Sequence, residues 1–73
     1  MTMTVGSNLR ALRGRLGLSQ RDVARRAGVA ITTVWGVENG HKPRADTIYR
    51  IATALGVDVN ELEPGPPILE PEP

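Results

Sequence analysis

The chain has 73 residues, with nine Lys or Arg against eight Asp or Glu, for a formal net charge of +1. That length leaves room for one domain, which buries only about 60% of the surface its unfolded chain exposes. There is no cysteine, so disulfides and thiolate metal sites are excluded and a cytoplasmic location is expected. The N-terminus lacks the layout of a signal peptide, and no window approaches the roughly 20 apolar residues that span a bilayer, so no membrane association is expected.

The near-neutral total conceals an asymmetry. All nine basic residues precede residue 51, while residues 58–73 carry five acids and no base. A basic body with an acidic tail is compatible with nucleic-acid binding, although Arg-rich helices are often no more than solvated faces.

Apolar residues recur at helical spacing along the chain. Val5, Leu9, Leu12 and Leu16 mark a first helix over 5–16, ended by Gly17. Gly14 inside it costs about 1 kcal/mol relative to Ala. Ser19 then caps a short second helix, with Asp22 three residues on as the partner of a capping box and Gly28 as the left-handed terminator. Ala24 and Gly28, four apart, offer a small-residue face for close approach of the next helix.

A third helix runs over 31–38 and stops at Asn39-Gly40. Its N-cap is Ala30, which has no side-chain acceptor. The basic loop His41-Lys42-Pro43-Arg44 follows. A fourth helix over 45–55 shows Ile48, Ile51, Ala52 and Leu55 on one stripe, with Tyr49 as a half-buried packing residue. Asp58 caps a last short helix, with Glu61 three residues on and Val59 and Leu62 within it. From Pro64 the sequence is PGPPILEPEP, whose five prolines exclude a regular helix. The expected layout is a domain over 1–62 and an acidic, Pro-rich, extended or disordered tail over 63–73.

The second and third helices carry the functional argument. Val34 and Val37 pin the third helix to the core, which turns Ile31, Thr32, Trp35 and Gly36 outward. A helix held this way can present its exposed face to a major groove while the helix before it crosses the backbone. A lone Trp is usually core, but Trp35 sits beside two inward valines and is expected to stand outside. There it would lie against a sugar–phosphate wall or a protein partner.

In residues 9–62 the stretches LRALRGRLGLSQRDVARRAGV, TTVWGVENG and DTIYRIATALGVDVNEL resemble the Cro/C1-type, or Xre-like, helix-turn-helix regulators. The resemblance covers about three-quarters of the chain. It implies an all-α, lambda-repressor-like domain of five helices, acting as a homodimer on a palindromic operator in double-stranded DNA, most often as a prokaryotic or phage repressor. Position by position it implies base reading by Ile31, Thr32, Trp35 and Gly36, and backbone contacts by Gln20, Arg21, Thr33, Asn39, Lys42 and Arg44. It also implies an ion pair between Arg13 and Glu38, for which there is an independent reason. A carboxylate at a helix C-terminus is unfavourable unless a cation compensates it.

The base-reading positions depart from the family, which often has polar residues there. Ile, Thr, Trp and Gly cannot make bidentate pairs with guanine or adenine, so readout biased to thymine methyls is expected, with DNA shape and dimer spacing supplying the remainder. A protein-interaction adaptor on the same fold is the alternative, engaging a partner through Trp35 or the tail. Surface apolar residues for a second copy are expected at Val57, Val59 and Leu62. His41 reads as an exposed loop residue, and Arg25 and Arg26 as a solvated face. No catalytic residue, cofactor or metal site is expected, because the sequence has no metal-ligand cluster, phosphate loop or His–acid pairing. A fold this small is also expected to lack a sizeable pocket.

Overall fold

The computed structural model describes residues 4–63, and the proline-rich tail lies outside them. Five helices follow in order: α1 over Val5–Leu16, α2 over Gln20–Ala27, α3 over Ile31–Glu38, α4 over Ala45–Leu55 and α5 over Val59–Leu62. No strand occurs among the described residues.

Local hydrogen bonding sets most of the boundaries. Thr4 and Ser7 form a reciprocal box at the start of α1, each backbone N–H donating to the other's hydroxyl at 3.0 Å. At α2 the Ser19 N–H donates to the Asp22 carboxylate at 2.9 Å and the Asp22 N–H to the Ser19 hydroxyl at 3.0 Å. Each box satisfies two N–H groups that the helix itself leaves unpaired. Asp58 caps α5 by accepting from the Asn60 N–H at 2.9 Å. Ala30 precedes α3 with no side-chain cap, so this helix depends on packing.

The core draws on every helix: Leu9 and Leu12, then Val23, Ala24 and Ala27, then Val34 and Val37, then Ile48, Ile51, Ala52 and Leu55, and finally Leu62. No aromatic ring is among them. α2 packs on α3 and α4, whereas α1 packs on α3 and α5. A polar tie joins the ends of this arrangement. The buried Asn8 donates from Nδ2 to the Leu62 carbonyl at 2.8 Å, occupying an oxygen that α5 leaves free. Gly6 is also buried, and a Cβ there would run into the Val37 carbonyl oxygen and lie 3.0 Å from the Glu38 Cα. The absence of a side chain at this point is what lets α1 and α3 meet backbone to backbone.

Several sequence expectations are corrected. Leu16 is 49% exposed. The turn at Gly17 brings Leu18 back against the core in its place. Tyr49 is 64% exposed, since Ile48, Ile51, Ala52 and Leu55 fill the buried stripe of α4. Gly28 does not share a close-approach face with Ala24. It is exposed at φ +70° and ends α2, and Ala27 is the second buried small residue of that helix. Leu62 is fully enclosed, and Val57 and Val59 are half-buried against the core, so the fold consumes most of the apolar surface expected for a second copy.

Candidate nucleic-acid interface

The two sides of α3 differ in chemistry. Inward, Val34 and Val37 are 0% and 3% exposed, and the Glu38 side chain is equally enclosed. Outward, Ile31 and Trp35 are 42% and 54% exposed, and Thr32 stands beside them in solvent. Thr33 and Gly36 are half-buried along the edge. All four residues considered for base reading therefore belong to one surface. Trp35 points away from the core for the reason the valine spacing gives: residues three apart share a face, and the one after Val34 is turned by about 100°.

Glu38 is held by three side chains from two other helices. The Arg13 guanidinium grips its carboxylate as a fork, with Nε donating to Oε2 at 2.7 Å and Nη2 to Oε1 at 3.0 Å. Gln20 donates from Nε2 to Oε1 at 3.2 Å, and Arg10 lies beside the same oxygen at 3.5 Å. Arg10 also reaches the Glu38 backbone carbonyl, and Arg13 donates to the Leu18 carbonyl at 3.0 Å. No buried side-chain nitrogen or oxygen among the described residues lacks a partner. Burial works to raise the Glu38 pKa. The Arg13 hydrogen bonds, then those of Gln20 and the Arg13 charge, overcome it and hold the carboxyl below its ordinary value. The same contact raises the Arg13 pKa. Asp22 is lowered as well, by the hydrogen bonds from Ser19.

The positions considered for backbone contact are distributed around this face. Arg21, Lys42 and Arg44 are exposed. Gln20 is half-buried, with its carboxamide on Glu38. Asn39 uses its side chain to cap α3, donating from Nδ2 to the Trp35 carbonyl at 2.7 Å. Between α3 and the 41–44 loop lies an open depression of about 470 Å³, lined by Thr32, Trp35, Gly36, His41, Lys42 and Arg44 among others. The expectation of no sizeable pocket is corrected by it. Its volume comes from an elongated helix face meeting a loop, not from a hollow in the core. Sequence reasoning missed Gly6, Asn8 and Arg10. A glycine and an asparagine on the first turn of a helix were the available signals.

An exposed short helix, pinned from behind and flanked by cations, with a second helix capped by Ser19 packed on it, defines a helix-turn-helix DNA-binding domain. A family model for the helix-turn-helix domain matches residues 4–64. An uncharacterized HTH-type transcriptional regulator of Sinorhizobium fredii is 40% identical over 63 residues, covering 85% of this chain and 82% of that protein. The propionyl-CoA carboxylase regulator of Cereibacter sphaeroides is 40% identical over 58 residues, 78% of this chain. The chain spans only 13% of the length of that regulator.

Among solved structures, the restriction-modification controller protein C.AhdI of Aeromonas hydrophila superposes with a TM-score of 0.75 at 39% identity, over 80% of this chain and 89% of that one. A hypothetical transcription factor from Neisseria superposes at 0.74 with 36% identity, over 80% and 68%. The chain belongs to the Cro/C1-type, Xre-like helix-turn-helix family and is a DNA-binding transcriptional regulator. Among the described residues no helix is long and apolar enough to cross a membrane, and no group of side chains is arranged to hold a metal.

Proposed function

We propose that α3 enters the major groove of double-stranded DNA, and that two copies of the chain bind a palindromic operator as a cytoplasmic repressor of the prokaryotic or phage kind. The observation that carries this is the exposure of Ile31, Thr32 and Trp35 on a helix that Val34 and Val37 fix from behind and Glu38 fixes at its end. Ile31 and the Thr32 methyl pack on thymine methyls, and Trp35 lies along the sugar–phosphate wall. Gly36 leaves that part of the face without a side chain of its own. Arg21, Thr33, Lys42 and Arg44 meet phosphates. Gln20 and Asn39 join them by exchanging their present partners, Glu38 and the Trp35 carbonyl, for phosphate oxygens. Residues 63–73 form an acidic tail outside the DNA-binding unit of residues 1–62.

Binding to operator DNA at a series of salt concentrations tests the reading. With about four or five phosphates neutralised per subunit, the slope of log K against log salt is expected near −4 for each subunit. A salt-independent complex overturns it. Site selection from random DNA is expected to return thymine-containing half-sites with two-fold symmetry. A half-site composed mainly of G·C pairs counts against the base contacts.

A second reading is favoured by the exposed Trp35: the same face docks a protein. Thr32→Ala and Trp35→Ala separate the two readings. Loss of DNA binding with partner binding intact supports the first.

A further inference from the structure

Gly36 stands at the edge of the outward face of α3 and brings no side chain to it. The structure fills that place from elsewhere. The chain turns back after Asn39-Gly40, and the His41 backbone N–H donates to the Gly36 carbonyl at 2.9 Å. This bond locks the loop onto the helix, and the imidazole comes to rest over the glycine. A Cβ built on Gly36 would lie 3.8 Å from the Cβ, Cγ and Cδ2 atoms of His41. His41 is exposed, and it lines the same open depression as Thr32, Trp35, Lys42 and Arg44.

We propose that His41 is a base-reading residue, whose imidazole replaces the missing side chain of position 36 and hydrogen-bonds a guanine edge in the major groove. The assignment rests on the reading that α3 lies in that groove. The chemistry follows from the ring and its surroundings. Either tautomer of an imidazole offers an N–H donor. Lys42 and Arg44 share the depression, so the surroundings are cationic and favour a base edge made of acceptors. Guanine presents two there, N7 and O6, and no other base does. Ile31 and Gly36 carry no donor, the Thr32 hydroxyl sits close to the backbone, and the Trp35 indole N–H belongs to a ring that the same reading lays along the sugar–phosphate wall. His41 would add one guanine-dependent step to a half-site otherwise read through methyl groups.

The test is a panel of half-site duplexes, each base pair changed in turn, bound to the full chain and to His41→Ala. The variant is expected to lose about 5- to 10-fold discrimination at a single guanine position, with preferences elsewhere and the salt slope retained. Gly36→Leu tests the same point independently: it lays a longer, donor-free side chain against the ring, and it is expected to weaken the same guanine preference. An even loss across all duplexes with the salt slope reduced by about one makes His41 a phosphate contact and overturns the proposal. So does a profile identical to that of the parent chain. Thr32→Ala separates failure of the proposal from failure of the underlying reading. Altered preference at a different base pair means α3 reads the groove whatever His41 does. Absence of any base preference in the parent chain removes both.

Discussion

At the C-terminal end of α3, Glu38 lies enclosed with its carboxylate divided among Arg13, Arg10 and Gln20, while nearer its start Ile31 and Trp35 stand in solvent. An ordinary surface helix turns its apolar stripe inward, as α3 does with Val34 and Val37, but it keeps its charge outward and leaves few large apolar residues in water. The inner side joins the two valines to a closed polar lock in which each group has a partner. The outer side is an open apolar surface with no partner among the described residues. A lock of this kind fixes where a helix sits and adds little net stability, because desolvation offsets most of the Coulombic gain. An apolar surface left in water gains its free energy when something covers it. The division assigns placement to one side and binding to the other.

Opening the lock tests this division most severely. Arg13→Ala leaves Glu38 enclosed with only Gln20 and the looser contact of Arg10, and is expected to cost about 3 kcal/mol. Urea unfolding measures it, and a loss below about 1 kcal/mol would mean the carboxylate relaxes into water without difficulty. The lock also makes stability depend on pH, with a sign fixed by its carboxylate. Folding lowers the Glu38 pKa, so in acid the unfolded chain binds more protons. The contribution of Glu38 is therefore fully present above the ordinary carboxylate range and is lost as pH falls through its folded value. Asp22 acts in the same direction. Glu38→Gln is expected to flatten the acid limb of the stability curve, and an unchanged limb would assign that slope to other groups.

Next in size is the contact that sets the distance between α1 and α3. Gly6→Ala drives a methyl group into the Val37 carbonyl and the Glu38 backbone, neither of which can rotate away. Overpacking of this kind costs about 2 kcal/mol. Because it displaces α3 bodily, it is also expected to weaken operator binding. A melting temperature equal to that of the parent chain would show that the two helices tolerate a wider separation.

Changes on the outer side should have the opposite signature. Trp35→Ala removes a ring that is half in solvent, so unfolding is expected to shift by no more than about 0.5 kcal/mol. Binding to DNA should fall by about tenfold, which corresponds to about 1.4 kcal/mol. A large loss of stability in this variant would erase the distinction between the two sides.

How much of this was legible in the sequence depended on the range of the interaction. The boxes at Ser19–Asp22 and Asp58–Glu61 are written in residues three apart, and they stand where the spacing placed them. The outward turn of Trp35 follows from the spacing of Val34 and Val37, which is equally local. Gly6 and Asn8 escaped because their importance lies in α3 and α5, more than 30 residues away in both cases. Leu16 and Tyr49 were misplaced by extending a helical stripe past the point where a neighbour lies beneath it. In the candidate site, the exposed face was readable from residue types. The present partners of Gln20 and Asn39, and the position of His41 over Gly36, required the turn after α3 to be seen.

The smallest effect lies where the two sides of α3 share a beginning. Ala30 has the extended backbone of an N-cap, φ −69° and ψ 148°, but no atom to accept the free N–H groups behind it. Ala30→Ser supplies that acceptor and is expected to stabilise the chain by about 1 kcal/mol, read as a rise in the urea midpoint at unchanged m-value. The substitution touches neither the lock nor the outer surface, so it separates two explanations for the missing cap. If the DNA affinity of Ala30→Ser equals that of the parent chain, the unpaired N–H groups at the start of α3 serve no ligand. If stability rises while affinity falls by several-fold, those N–H groups are donors held open for a phosphate, and the start of α3 belongs to the binding side.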